Sequence, residues 1–486
     1  MQLSITDKFL MPDWSTKADP WEGIELDLAA LQKIVCEVLQ VPLAQCGPPV
    51  SLRDEDAGCC GNHSRIYSFE LAARTVVARL ITPVKPLFKT ESEVAAMDFI
   101  RSRTTLPVPK VFSYCSEANN PVGAEWMIME YVLGKEMGDV WDDLLPAQRQ
   151  RLARDVVDLH GQLSRLKADG CGGVYHSVHS VDDFNLSRTP RWRPLSKESL
   201  QMLKSHCSHA LRDGYTLGPV NSVPLVNWRL VVPSPAQTPP VYSSEEYVDL
   251  VASYGKPSTR SYFELFSRET CVELFRHVRN LYPNSRILGP LADSSGYSFT
   301  HGDLHEENIF VDPHTGAITG IIDWESAGFR PMWTEVAGVG WFIEDSERML
   351  FGCDRPTNFE HDTKDDARLR AFFRTELNRM DSDLFTSFLG GAELRAIFDA
   401  AADCPIPDGQ TDIFLRIYHE LGYWNEARRG ACPWDMVAWT CKRARMDREE
   451  MNRRLKLVER ERKVLQASPL TNVDVKEYRT LHKVSK

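Results

Sequence analysis

The spacing of apolar residues changes period several times along the chain. Leu28, Leu31, Ile34, Val35, Val38 and Leu39 recur at helical spacing and stop before Pro42 and Gly47-Pro48-Pro49. This predicts an amphipathic helix inside an N-terminal extension over residues 1–55. From Ile66 the pattern shortens to β-type runs, Ile66–Phe69 and Thr75–Ile81, with a turn between them. Thr90 or Ser92 then offers a cap for a helix whose buried stripe is Val94, Met97, Phe99 and Ile100, ending before Leu106-Pro107-Val108-Pro109. Two more strands, Val111–Cys115 and Trp126–Tyr131, are joined through Asn119-Asn120-Pro121. After Gly134 a helical period dominates, most clearly from Pro146 to Lys167, where Leu152, Val156, Leu159, Leu163 and Leu166 mark one face. Strand, strand, helix, strand, strand and then a helical region predict an α+β chain, with a small sheet lobe over 56–128 and a large, mainly helical lobe over 135–440.

Residues 170–300 carry a weaker pattern. They are rich in Ser and Pro around Val231–Tyr242, with helices expected over Ser244–Tyr254 and Arg268–Leu281. Such an insertion serves either as a binding element or as a surface excursion. Ser205-His206-Cys207-Ser208-His209 matches no zinc spacing and reads as helix surface. Residues 441–463, with ten Lys or Arg against five Asp or Glu, predict a charged helix leading into a tail over 441–486.

Composition narrows the function classes. The chain has 486 residues, is 43% hydrophobic and 26% charged, and has a formal net charge of −11. That charge argues against general nucleic-acid binding, which needs a basic excess to neutralise phosphates. No apolar run approaches the roughly 20 residues of a membrane span. The first twenty residues hold Asp7, Asp13 and Asp19, no arginine and no leader-like apolar stretch, so a cytoplasmic location is expected. Twelve cysteines without a C-x-x-C pair suit reduced thiols.

The chemistry concentrates in His301-Gly302-Asp303-Leu304-His305-Glu306-Glu307-Asn308 and Ile321-Ile322-Asp323-Trp324-Glu325. Asp303 precedes Asn308 by five positions, the offset between the base and the metal-binding Asn of a kinase catalytic loop. Between them and Asp323, Ile309-Phe310-Val311 and Ile318–Ile322 flank Asp312-Pro313-His314-Thr315-Gly316, which predicts a hairpin returning Asp323 to Asn308. Phosphoryl transfer needs such a set. One carboxylate orients the attacking hydroxyl, while another carboxylate and an amide hold the cation that neutralises the phosphates. Asp303 is the expected base, and Asn308 and Asp323 the expected magnesium ligands.

These segments resemble the signature of the aminoglycoside phosphotransferase-like family, including its fungal group, within the protein kinase-like superfamily. The resemblance covers roughly residues 58–345 and implies a two-lobed kinase-like fold, with ATP between the lobes and a hydroxyl-bearing small molecule as acceptor. It also implies roles for further residues. Gly58, Gly61, Asn62 and Arg65 look like the phosphate-covering loop. Arg79 stands where the superfamily usually has Lys, with Glu93 as its ion-pair partner. Met129, Glu130 and Val132, within a hinge over 129–134, would meet adenine. Glu325, Trp324 and Trp333 are candidate acceptor contacts. Gly302 replaces the Arg of protein kinases, which disfavours a protein substrate, and Arg79 in place of Lys leaves a nucleotide-binding pseudokinase as the alternative. The sequence does not specify the acceptor or the oligomeric state.

Overall fold

In the computed structural model the described residues are 21–52, 64–177, 188–222, 233–254, 268–281, 296–334 and 364–402, with isolated positions elsewhere. Helix α1 (Leu28–Leu39) starts where the Asp27 carboxylate accepts from Ala30 N–H at 2.8 Å. This side chain satisfies one of the amides that a helix start leaves without a partner. The apolar stripe of α1 lies in one core cluster with Phe69, Ala78, Trp126 and Ile128. Those residues belong to the sheet formed by β1 (Val50–Ser51), β2 (Arg65–Glu70), β3 (Thr75–Leu80), and the two strands that follow helix α2 (Phe88–Arg103), namely β4 (Val111–Cys115) and β5 (Trp126–Glu130). The strand order is β1-β2-β3-β5-β4, antiparallel throughout, and the register sets Arg79 opposite Met127.

Helix α2 begins at Phe88, about one turn before the expected Thr90 or Ser92 cap. The capping carboxylate is Glu125, which accepts from Leu87 N–H at 2.7 Å and from the Thr90 hydroxyl. A residue 38 positions away from Leu87 supplies the cap, so the local sequence could not place it.

Past β5 the chain turns through Gly134 at φ +117, where a Cβ would lie 2.5 Å from the Val311 carbonyl. It then forms β6 (Lys135–Glu136) and α3 (Pro146–Ser164). Beside its helices this lobe carries three small sheets. Their other strands are β7 (Lys167–Ala168), β8 (Gly173–His176), β9 (His209–Ala210), β10 (Tyr215–Gly218), β11 (Tyr297–Thr300), β12 (Ile309–Val311), β13 (Ile318–Ile321) and β14 (Gly328–Arg330). They order as β8-β10-β9, β14-β11-β7 and β13-β12-β6. Strands this short carry too little alternation to be read in advance. Helix α4 (Lys197–His206) ends within the Ser205–His209 run, leaving Cys207 buried beyond it.

The helices expected at Ser244–Tyr254 (α5) and Arg268–Leu281 (α6) form over those residues, and α7 (Lys364–Met380), α8 (Ser382–Gly390) and α9 (Ala392–Ala402) follow. The main core joins α2, α3, β11–β14, α7 and α8 through residues such as Ile100, Leu159, Phe299, Phe373 and Phe388. Burying each such side chain stabilises the fold by about 1.5–3 kcal/mol. The architecture is therefore α+β and two-lobed, as expected. Among the described residues no helix is long and apolar enough to cross a membrane, and the cysteines Cys36, Cys46, Cys115, Cys171, Cys207 and Cys271 are free. The charged helix of 441–463 falls almost entirely outside the described residues.

Candidate active site

The hairpin from β12 to β13 does what its sequence predicts. Ile309 pairs with Ile321 and Phe310 with Gly320. Asp312 closes the turn, its carbonyl accepting from Gly316 N–H and its carboxylate from His314 N–H, both at 2.8 Å. One step beyond the ladder, Ile322 N–H donates to the Asn308 carbonyl at 3.0 Å. Asp323 thus arrives beside Asn308. Its backbone sits at φ 63, ψ 58, a region that Asp and Asn tolerate better than most side chains.

The loop over residues 301–308 is tied to this hairpin. Asn308 is buried, and its Nδ2 donates to the Asp303 carbonyl at 2.8 Å and lies 2.9 Å from His305 Nε2. The amide nitrogen is committed inward, which turns Oδ1 the other way. His301 is wholly buried. Its Nε2–H donates to the Ile322 carbonyl at 2.8 Å, while Nδ1 accepts from Asp303 N–H at 3.4 Å. One neutral imidazole therefore links the residue before Asp323 to the loop carrying Asp303. Gly302, at φ +85, has no room for a side chain: a Cβ would lie 2.2 Å from Arg330 Nη1 and 2.3 Å from the Ser326 carbonyl. The Arg330 guanidinium is buried against the loop, donating to Thr300 Oγ1 at 2.8 Å and to the carbonyls of Asn221 and Ser326.

Arg79, carried on β3, points at the same place. Nη1 donates to Glu93 Oε1 at 2.5 Å, and Nη2 donates to Asp323 Oδ1 at 2.8 Å and Glu325 Oε2 at 2.6 Å. Among the described residues its buried Nε–H and the buried second oxygen of Glu93 have no hydrogen-bond partner. Burial alone would lower the Arg79 pKa, but Asp323, Glu93 and Glu325 together hold it above its ordinary range. Burial raises Glu93 above the usual carboxylate range, against the pull of Arg79 and with the push of Asp323. Asp303, half-buried, is pushed up to about 6 by its burial, with His305 opposing and Asp323 and Glu325 adding to the rise.

A residue that sequence reasoning missed completes the cluster. Lys89 is only 2% exposed, and its Nζ lies 2.8 Å from Glu325 Oε2. It stands four residues before Glu93, on the same face of α2, a spacing that could have drawn notice. Glu325, one of the candidate acceptor contacts, faces Arg79 and Lys89. Trp324 and Trp333 are core residues. Trp324 packs on the His301 ring at 4.5 Å and donates Nε1–H to the Ile321 carbonyl, and Trp333 packs against Phe275 and Phe398. Both lie at most 1% exposed, so neither is presented to an acceptor.

Residues 129–134, the expected hinge, lean on the β12–β13 hairpin. Thr319 Oγ1 donates to the Leu133 carbonyl at 2.5 Å, the Val132 side chain fills the space beside Gly320, and β6 pairs with β12. Met129 is half-buried, and Glu130 N–H is engaged by the Lys110 carbonyl at 2.9 Å. Arg65 opens β2 with its guanidinium over the Trp21 ring, 5.1 Å from the centroid. Gly58, Gly61 and Asn62 lie outside the described residues.

The buried imidazoles give a pH dependence. His160 and His301 are pushed down to about 4 and about 3, from an ordinary value of 6.5, first by burial. The unfolded chain binds these protons first, so stability is full above pH 6.5 and is lost as pH falls toward 4. The melting temperature is expected to drop between those pH values, and His160→Leu is expected to flatten the slope. A parental slope in that variant would remove His160 as a cause.

The sequence matches the APH family, described as the phosphotransferase enzyme family, over residues 61–209 and 233–372. A subtelomeric hrmA-associated cluster protein of Aspergillus fumigatus is 26% identical over 324 residues, 62% of this chain and 64% of that protein. This chain thus spans less than two thirds of that relative. A protein of Meyerozyma guilliermondii named altered inheritance of mitochondria protein 9, mitochondrial, is 27% identical over 150 residues, 27% of this chain and 25% of that protein. Among solved structures, an aminoglycoside-3'-phosphotransferase of type VIII is 15% identical with a TM-score of 0.38, covering 77% of this chain and 98% of its own. A thermostable mutant of aminoglycoside phosphotransferase APH(4)-Ia, in a ternary complex with ADP and hygromycin B, is 12% identical with a TM-score of 0.36, covering 80% and 96%.

Proposed function

The chain belongs to the phosphotransferase enzyme family, and from that premise we propose that it moves the γ-phosphoryl group of ATP onto a hydroxyl of a small molecule. The observation that carries the reading is the meeting of Asp303, Asn308 and Asp323 on one loop and hairpin, with the Arg79–Glu93 pair directly against Asp323.

The donor set fits a magnesium-bound nucleotide. Among the described residues no three His, Cys, Asp or Glu side chains form a metal cage by themselves. Magnesium suits such a place because it takes one or two protein oxygens and fills the rest with phosphate and water. Asn308 Oδ1 and an Asp323 oxygen would hold it, and when bound it neutralises charge building on the phosphates. The orphaned Arg79 Nε–H is a donor for a phosphate oxygen, and Lys89 keeps Glu325 neutralised when Arg79 turns to the nucleotide. Asp303 aligns the acceptor hydroxyl and takes its proton as the oxygen bonds to phosphorus and the bond to the β-phosphate oxygen breaks. At the hinge Glu130 N–H is engaged, so adenine would meet the Glu130 carbonyl and the Val132 backbone.

Incubation with ATP, magnesium and a library of hydroxyl-bearing metabolites tests the reading, with mass detection of a phosphate adduct. An adduct that forms with magnesium and not with excess chelator is the expected result. Failure to bind nucleotide in either condition would defeat it. A cytoplasmic site of action belongs to the same proposal, and organelle fractionation decides it against the mitochondrial placement in the name of the Meyerozyma relative.

Arg79→Ala is expected to weaken magnesium-nucleotide affinity by about tenfold or more, the scale of a lost charge-assisted bond. It also lowers stability by about 3–5 kcal/mol, because Glu93 is left a buried carboxylate without its cation. Arg79→Lys restores a charge without the fork and is expected to fall between parent and alanine. Parental affinity in the alanine variant, measured by calorimetry, would show that Arg79 is not the clamp.

A further inference from the structure

The first two turns of α2 are closed in on every side: Lys89, Thr90, Glu91, Ser92 and Glu93 are each at most 2% exposed. Glu91 and Glu93 stand two residues apart, so they leave opposite faces of the helix. Glu93 faces Arg79. Glu91 faces Arg191, whose Nε donates to Oε1 at 2.9 Å and Nη2 to Oε2 at 2.6 Å. The Ser116 hydroxyl adds a bond to Oε1 at 2.6 Å and the Tyr114 hydroxyl one to Oε2 at 3.1 Å. Burial alone would raise the Glu91 pKa, and Arg191 reverses it.

Arg191 belongs to a strap that comes from the chain beyond the hinge and lies along the outer edge of β4. Thr189 donates its N–H and hydroxyl to Asp98 on α2 at 2.8 and 2.7 Å. The Pro190 carbonyl accepts from Ser113 at 3.0 Å, Arg191 bridges to Tyr114, and Trp192 N–H donates to the Tyr114 carbonyl at 2.8 Å. The Trp192 ring packs on Trp126 at 5.9 Å. These bonds fasten α2 to the sheet at two points along its length, on the side away from Arg79.

We propose that residues 189–192 are a positioning strap for the nucleotide clamp, with Arg191 as the positioning residue that fixes the rotation and height of α2 and so keeps Glu93 on Arg79. The inference rests on the nucleotide-site reading above. In kinase-like sites this ion pair must be formed for phosphates to be held, and displacement of its helix breaks it. Here the helix is held by the fold's own insertion. The bidentate fork matters because two parallel bonds fix orientation as well as distance, which a single ammonium does not.

The test compares parent, Arg191→Met and Arg191→Lys by calorimetric affinity for a magnesium-bound non-hydrolysable ATP analogue, by melting temperature, and by deuterium uptake over residues 88–98. Arg191→Met is expected to bind about tenfold more weakly, as for other supporting partners of a ligand site, with faster uptake at the start of α2. Arg191→Lys is expected to recover part of that loss. In an Arg79→Ala background Arg191→Met should cost no further affinity, since the strap acts through that pair. A lowered melting temperature with parental affinity in both Arg191 variants overturns the proposal, leaving Arg191 a structural residue. If Arg191→Met does not fold, Arg191→Lys decides by the same affinity comparison. A parent that binds no nucleotide defeats the site reading and the strap together, whereas parental binding undisturbed by the strap variants defeats the strap alone.

Discussion

Asp303→Asn is expected to lower phosphoryl transfer by about two to four orders of magnitude, the contribution of a positioned general base, while nucleotide affinity and folding stay near parental. The separation follows from which atoms Asp303 uses. Asn308 is oriented by the main-chain carbonyl of Asp303, and the His301 link reaches its main-chain N–H. The asparagine side chain therefore replaces the carboxylate without loosening either tie. What is lost is the proton acceptor, in a place where burial and the neighbouring Asp323 already raise the Asp303 carboxyl to about 6. Single-turnover transfer to an identified acceptor, beside calorimetry with magnesium and nucleotide, checks both halves. Parental turnover would remove Asp303 from the chemistry and leave the acceptor hydroxyl to be oriented by another group.

Asp323→Asn is expected to fail earlier, losing magnesium-dependent nucleotide binding as well as turnover. Asparagine is the informative replacement because residue 323 sits at φ 63, where Asn is tolerated and alanine would add strain. The substitution leaves the hairpin intact and withdraws one negative charge. Losing a charged ligand bond costs about 1.5–3 kcal/mol, or roughly one to two powers of ten in affinity. Arg79 keeps Glu93 and Glu325 as partners, so the variant should remain folded. Calorimetry with and without chelator is the measurement. If the variant bound the magnesium nucleotide like the parent, Asp323 would not be a ligand, and Glu325, which shares Arg79 Nη2 with it, would become the carboxylate to examine.

The meeting of Asp303, Asn308 and Asp323 was legible because its geometry is local. Asp303 to Asn308 is a single loop, and Asn308 to Asp323 is one hairpin whose alternating apolar residues and Asp312–Gly316 turn dictate the register that closes it. Strands β2 to β5 of the first sheet and the helices at Ser244–Tyr254 and Arg268–Leu281 were legible for the same reason, since each segment carries its own period, whereas the two residues of β1 carry none. The pairing of Arg79 with Glu93, fourteen residues apart, came with the family resemblance. Only the tertiary structure could decide contacts between groups remote in the chain. Arg79 meets Asp323 and Glu325 across 244 and 246 positions, and Arg191 meets Glu91 across 100. The start of α2 was set by Glu125, and the need for glycine at 302 by the Arg330 guanidinium. In each case a buried charge or amide must find a partner wherever the fold brings one, because leaving it unpaired costs more than the bond itself contributes. Periodicity fixes which face of an element is buried, but the identity of the partner waiting there is settled by packing.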